Sequence, residues 1–321
     1  MRNMFAKVLT QMAAADDRVV MLSADIGNRL FDDFKTRFPD RFYNCGVAEA
    51  NMIGMAAGLA ANGLRPICYT ITPFVTTRCL EQIRVDLCYH HLPVIVAGVG
   101  SGLGYAELGA THHACEDIAM LRVLPGMTVV CPADPVELKL AMLQATSING
   151  PVYLRLGKKG EPVVHAQEPA FTIGQSLNVK QGKDVCLLST GTILPVVMQA
   201  AESLESQGIS CRVESFHTIK PLDEKLLARA FHDYRLVVTI EEHSIIGGLG
   251  AAAAEWYVDQ AITHSRLLRI GTPDAFLHES THYDTARQRC GLTVDNIASR
   301  IAQAWTHAST SPSAVFIQQV S

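Results

Sequence analysis

The chain has 321 residues, 48% hydrophobic and 18% charged, which excludes disorder and, at a length beyond what one core usually supports, predicts two domains. Its 27 basic and 31 acidic residues give a net charge of −4 with no basic run, arguing against a nucleic-acid partner. The nine cysteines are scattered without a C-x-x-C and read as apolar fillers in a reducing compartment; with no signal peptide or bilayer-spanning stretch, a cytoplasmic protein with no membrane partner and no metal site of its own is expected.

Short β-branched runs alternate with longer helical patterns, the signal for parallel α/β layers. In chain order the first half predicts a helix over 3–15, a strand over 19–22, a helix over 49–62 and a strand over 66–69. A helix over 78–90, a strand over 94–97, a helix over 115–122, a strand over 128–131, a helix over 135–147 and a strand over 152–155 follow. The pattern then weakens through a Gly-, Lys- and Pro-containing stretch. A second unit has strands over 185–189, 210–214, 236–240 and 267–270, with helices over 193–207, 223–231, 248–262 and 292–306. The expected fold is α/β with two domains, each a mostly parallel sheet flanked by helices. The expected division is 1–160 and 183–307, with 161–182 as linker and 308–321 as a loose tail in which 314–320 is a candidate strand. No strand-to-helix junction carries a G-x-G-x-x-G fingerprint or a P-loop; the glycine-rich run 98–104 leads into further loop instead of a helix.

Ligands of open α/β sheets bind beyond the carboxyl ends of the strands, and three segments of the first half fall there. The first, Gly46-Val47-Ala48-Glu49-Ala50-Asn51-Met52, opens an apolar helix whose Gly54, Ala56, Ala57 and Gly58 would let it pack closely on another backbone. Glu49 is then a partly buried acid, costly unless protonated or partnered; the plainer reading is an acid complementing the helix dipole. The second segment carries Phe74 and Arg78; taken alone, a phenylalanine there is more often a core residue than a stacking platform. The third is a long glycine-rich loop ending Glu107-Leu108-Gly109-Ala110-Thr111-His112-His113, and loops of that length are usually functional or disordered. Adjacent histidines cannot both face one way. One faces the site as an acid/base or hydrogen-bonding group while the other supports the loop.

Three runs occur in the order and spacing of the transketolase family, which the chain resembles over 1–305. They are Gly46-Val47-Ala48-Glu49-Ala50-Asn51-Met52, then Phe74 followed by Arg78-Cys79-Leu80-Glu81-Gln82-Ile83-Arg84, then Gly109-Ala110-Thr111-His112-His113 followed by Glu116-Asp117-Ile118-Ala119. The second half adds Thr218-Ile219-Lys220-Pro221-Leu222-Asp223 and Glu241-Glu242-His243-Ser244-Ile245-Ile246-Gly247-Gly248-Leu249-Gly250.

The resemblance is to the pyrimidine-binding and C-terminal domains only, since no G-D-G followed by an asparagine pair is present. It therefore implies the C-terminal subunit of a split transketolase, transferring a two-carbon ketol unit between a ketose and an aldose. Thiamine diphosphate would be shared with an N-terminal, diphosphate-binding subunit that mainly binds Mg2+, in an α2β2 assembly built around a dimer. By the same resemblance Glu49 is catalytic and bonds a ring nitrogen of the aminopyrimidine, the cofactor carrying the carbanion chemistry. Phe74 stacks on that ring, Arg78 and Gln82 belong to the cofactor side, and His112 contacts the reacting oxygen of the donor. Arg29, Lys158 and Lys159 are the substrate-side candidates. Leu108 stands where relatives carry a hydroxyl-reading aspartate, Gly100 where they carry a phosphate-binding histidine, Lys158 where they carry an arginine, and Leu80 where they often carry an aromatic ring. These departures imply a modified, deoxy or differently charged sugar or sugar phosphate. The rivals are the β subunit of a 2-oxoacid dehydrogenase, a deoxyxylulose-phosphate synthase-like enzyme, and a scaffold that has lost its chemistry.

Overall fold

The structure, a computed structural model, describes residues 1–27 and 29–310. Helix α1 (Arg2–Ala15) buries Phe5, Val8, Leu9 and Met12, spaced for one helical face, and packs against α7 further along the chain. Strand β1 (Val19–Ser23) is wholly buried and leads through α2 (Asp32–Arg37) to the short β2 (Phe42–Asn44). Helix α3 (Glu49–Ala61), β3 (Arg65–Ile71), the single turn α4 (Thr72–Val75) and α5 (Leu80–Gln82) come next. The helix expected over 78–90 is thus broken up: α5 runs on as π-helical turns over Ile83–Tyr89. Strand β4 (Ile95–Val99), α6 (Asp117–Arg122), β5 (Thr128–Val130), α7 (Pro135–Ala145) and β6 (Val152–Leu156) complete the first unit. Asp134 caps α7 by accepting from the amides of Val136 and Glu137, with Pro135 opening the helix.

The second unit contains β7 (Leu177–Lys180), β8 (Val185–Thr190), α8 (Leu194–Ser206), β9 (Cys211–Ser215) and β10 (Thr218–Lys220). It continues with α9 (Glu224–Asp233), β11 (Leu236–Ser244), α10 (Leu249–Asp259), β12 (Arg266–Thr272), α11 (Tyr283–Arg289) and α12 (Val294–Thr310). The first sheet has seven strands in the order β10-β5-β6-β4-β3-β1-β2, the second five in the order β12-β11-β8-β9-β7. Both are parallel except at one edge, where β10 runs antiparallel to β5 and β7 antiparallel to β9.

Those edge strands depart from the expected division. Strand β7 lies inside the stretch 161–182 read as linker; of its four residues only Leu177 is buried, too weak a pattern to read. The rest of that stretch is fastened to the first unit, because Asp134 Oδ2 accepts from the amides of Val164 and His165 at 2.8 and 3.0 Å. Strand β10 comes from the second half yet extends the first sheet, and Lys220 Nζ donates to the carbonyls of Arg122 and Leu124 just beyond α6. Helix α12 reaches Thr310, into the segment expected as tail, and the candidate strand 314–320 lies outside the described residues.

Candidate active site

The carboxyl ends of β3 and β4 and the start of α3 carry the candidate residues. Glu49 is the first residue of α3 and is 3% exposed. Its helix buries Met52, Ile53, Ala56, Ala57 and Ala60, whereas Gly54 and Gly58 face outward with nothing within 4 Å of an added Cβ. Of the four small residues expected to bring α3 close to another backbone, Ala56 and Ala57 are buried against the chain, while Gly54 and Gly58 meet nothing among the described residues. Arg78 Nη1 donates to Glu49 Oε2 at 3.0 Å, and Glu49 Oε1 has no hydrogen-bond partner among the described residues.

The turn α4 follows β3 directly, with Pro73 setting its start, and presents Phe74. The Arg78 guanidinium lies 4.1 Å from the Phe74 ring centroid, and the His112 ring meets Phe74 edge-on at 5.0 Å. His112 Nδ1 pairs with Thr111 Oγ1 at 2.9 Å. Burial, with His113 and Arg78 nearby, pushes the His112 imidazole below its ordinary value, which favours the neutral ring at pH 7. His113 turns inward, its Nε2 buried with no hydrogen-bond partner among the described residues.

Beyond His112 lies Tyr105, with ring centroids 6.0 Å apart, and Lys158 Nζ sits 4.8 Å from the Tyr105 centroid. Lys158 is not a free cation here: it donates to Glu107 Oε2 at 2.8 Å, which holds the Glu107 carboxyl below the usual range. Gly100 has φ +79°, and a Cβ on it would meet the Tyr105 ring at 2.0 Å. The tyrosine thus fills the space a side chain at 100 would need. Glu49, Arg78, Phe74, His112, Tyr105 and Lys158 form a continuous run of contacts. No hydrogen bond, ion pair or ring contact joins Arg29, Gln82 or Lys159 to it among the described residues. A depression of about 500 Å³ lined by Thr128, Gln144 and Pro221 touches the amino end of β5 instead, away from this run.

Sequence reasoning missed Tyr105 and Glu107, along with a buried network beneath the loop. Arg155, in the otherwise apolar Val152-Tyr153-Leu154-Arg155-Leu156, pairs bidentately with Asp117 at 2.7 and 3.1 Å, and the Tyr153 hydroxyl donates to Asp117 at 2.6 Å. Burial pushes the Asp117 carboxyl up, but Arg155 outweighs it and holds the group below the usual carboxylate range. A lone arginine inside a strand was the legible signal, since a buried charge must be paired.

The run Glu241-Glu242-His243 is divided by its partners. Glu241 accepts from the amides of Leu249 and Gly250, both at 2.8 Å, at the amino end of α10, and burial raises its carboxyl to about 7. His243 Nδ1 donates to the Ser244 carbonyl at 2.8 Å, the Ala119 amide donates to Nε2 at 3.3 Å, and burial lowers the ring to about 4. These bonds fix a neutral tautomer and dock the second unit on α6.

A buried carboxyl group bonded to an arginine that lies over an aromatic ring offers the acceptor and the apolar face that an aminopyrimidine needs, so these residues fit thiamine diphosphate. Among the described residues no three His, Cys, Asp or Glu side chains group where a metal ion could sit.

Comparison with known proteins gives the same picture. Residues 1–161 match the transketolase pyrimidine-binding domain and 174–297 the transketolase C-terminal domain. The 6-deoxy-6-sulfo-D-fructose transketolase subunit SqwH of Clostridium sp. (strain MSTE9) is 37% identical over 298 residues, covering 92% of each chain. One subunit of the apulose-4-phosphate transketolase of Phocaeicola vulgatus is 33% identical over 284 residues, covering 88% of this chain and 90% of that one. A solved split-gene transketolase, an inactive β4 tetramer, superposes with a TM-score of 0.86 at 35% identity over 95% of this chain and 97% of that one. The two domains define a transferase of the thiamine diphosphate-dependent transketolase type. This chain belongs to the transketolase family and carries its pyrimidine-binding and C-terminal domains.

Proposed function

We propose that the chain supplies the cofactor-activating and substrate-facing wall of a two-subunit transketolase acting on a modified ketose. The observation that carries this is the buried Glu49, bonded to an Arg78 that lies over the Phe74 ring, with the His112 ring edge-on to Phe74. Thiamine diphosphate, when bound, supplies the electron sink that lets the bond beside a ketone break and re-form. Glu49 would hold a ring nitrogen of the pyrimidine and share a proton with it, a role that suits a carboxylate shielded from water. Phe74 would give the ring a face, with Arg78 beside both groups. Gln82 would join the cofactor side from outside the contact run. His112, neutral, would bond the reacting oxygen of the donor.

That this sequence has no G-D-G followed by an asparagine pair supports a reading in which an N-terminal partner holds the diphosphate and Mg2+. An α2β2 assembly built around a dimer, in the cytoplasm, is the arrangement we propose. The substrate is a ketose lacking the hydroxyl the family's aspartate reads, because Leu108 can accept no hydrogen bond from its side chain. Its charged end, if any, meets Lys158 already paired with Glu107, with Lys159 and Arg29 as further cations at the rim. Relatives named for 6-deoxy-6-sulfo-D-fructose and apulose 4-phosphate support a non-standard sugar. Co-expression with a neighbouring diphosphate-binding subunit, then a substrate screen of the purified pair, tests the reading. Transfer of a ketol unit from a deoxy or otherwise modified ketose is expected. Ordinary rates with xylulose 5-phosphate and ribose 5-phosphate would remove the modified-sugar part, and 2-oxoacid decarboxylation in place of transfer would overturn the whole.

A further inference from the structure

The loop that carries Tyr105 and His112 is not held by its own domain alone. Its two ends meet as a bridge between Gly102 and Ala114, with the Gly102 amide donating to the Ala114 carbonyl at 3.0 Å and the Ala114 amide returning at 2.8 Å. The second domain closes on that bridge through one carboxylate. Glu242, 1% exposed on β11, accepts from the Leu103 amide on Oε1 at 2.8 Å. Its Oε2 accepts from the Tyr283 hydroxyl at 2.9 Å and from Arg287 Nε at 2.6 Å.

The backbone of the same residue takes part. Arg155 Nη2 donates both to the Glu242 carbonyl at 3.0 Å and to the Ala114 carbonyl at 2.9 Å, so one guanidinium nitrogen spans the loop's end and β11. Gly102 shows how tight the seating is: with φ +58°, an added Cβ would lie 2.4 Å from Glu242 Oε1. A third contact lies higher on the loop, where the Thr281 amide, two residues before Tyr283, donates to the Ala106 carbonyl at 3.2 Å. Ala106 follows Tyr105 and opens the short 3-10 turn Ala106–Leu108 that precedes His112.

We infer that Glu242 is a positioning residue for the substrate wall, and that the second domain serves the reaction by setting the height of the loop that bears Tyr105 and His112. Both carboxylate oxygens are used, one on the loop and one on α11, so the loop's base is indexed to the second domain. The cofactor wall has no such dependence: Arg78 bonds Glu49 and lies over Phe74, and Phe74 meets His112, all within the first domain. Loss of Glu242 should therefore shift the loop while leaving the pyrimidine residues where they are. A displacement of about 1 Å in a substrate-holding group costs on the order of 100-fold in rate.

This rests on the reading of His112 as a substrate contact, and the experiment separates the two. In the two-subunit holoenzyme, Glu242→Gln keeps the size of the side chain but loses the charge-assisted bond to Arg287. It is expected to lower kcat/KM for the ketose donor by about 10- to 100-fold, while the thiamine diphosphate concentration for half-maximal rate changes by less than about 2-fold. Tyr283→Phe, which removes one donor and keeps the packing, should move the same parameter in the same direction by a smaller factor. It decides the matter if Glu242→Gln does not fold. Unchanged donor kcat/KM in the folded variants, or donor and cofactor parameters falling together, overturns the inference. His112→Asn serves as the control: if it leaves donor kcat/KM untouched, the reading of the loop as substrate wall fails and this inference with it. If His112→Asn is impaired and the Glu242 and Tyr283 variants are not, only the positioning role fails.

Discussion

The two halves of the site are built by different means. The cofactor end is made of short-range geometry: a helix start puts Glu49 in place, and a proline-led turn after β3 puts Phe74 there, with Arg78 four residues on. The substrate end is a long loop whose tip carries Tyr105 and His112 and whose base is gripped by Glu242 of the other domain. Secondary structure within one domain therefore secures the part proposed to face the cofactor. The part proposed to meet the sugar depends on contacts between domains, where a few substitutions can reshape it.

Substitutions can break or sharpen this contrast. The largest effect belongs to Glu49→Ala, which should lower the steady-state rate of the holoenzyme by about 10³-fold or more, within the span that positioned proton transfer supplies. Activity indistinguishable from wild type would revive a non-catalytic scaffold. Next, His112→Asn should cost about 100-fold in kcat/KM for the donor with cofactor saturation unaltered, and losing both alike would erase the distinction between the two ends.

The same histidine has a pH signature. Its value lies below the ordinary 6.5 because of burial, so the neutral ring persists as pH falls through 6.5 and protonates only below it. The acid limb of donor kcat/KM should lie below that pH and vanish in His112→Asn; a limb above pH 7 would contradict the assignment.

A smaller effect is expected from Gly100→Ala, whose Cβ would drive into the Tyr105 ring at a backbone φ of +79°. About a 10-fold rise in donor KM is the anticipated result, read alongside Tm to show that the fold persists. Smallest is Lys158→Met. The Lys158–Glu107 pair is partly exposed, so its loss should shift KM for a charged sugar by a few-fold and reduce the salt dependence. A 100-fold loss there would show that Lys158 leaves Glu107 to bind the substrate's anion.

Most of the fold could be read along the chain, because parallel strands and flanking helices advertise themselves by local pattern. Helix α3 was expected over 49–62 and spans Glu49–Ala61, and the buried strands of both sheets lie within a few residues of expectation. What escaped was short or non-local. Strands β2 and β10 have three residues each, β7 has one buried residue, and β10 crosses to the other domain's sheet.

The site divides the same way. Glu49 and Phe74 drew notice by type and position, whereas the choice of His112 over His113 came from the family resemblance. The Glu49–Arg78 bond spans 29 positions and the Leu103–Glu242 bond 139, separations that no local pattern reveals. Lys158 read as an available cation because the loop folding Glu107 onto it was invisible. Gly100 read as a lost histidine, whereas three-dimensional packing shows the Tyr105 ring in its place.

The most direct test is reconstitution: thiamine diphosphate-dependent ketol transfer measured for this chain alone, for the N-terminal subunit alone, and for the two mixed, with wild-type and Glu49→Gln versions of this chain. Transfer is expected only in the mixture, and it should be lost with Glu49→Gln. Tight cofactor binding and turnover by this chain alone, or full activity of the Glu49→Gln mixture, would contradict that expectation.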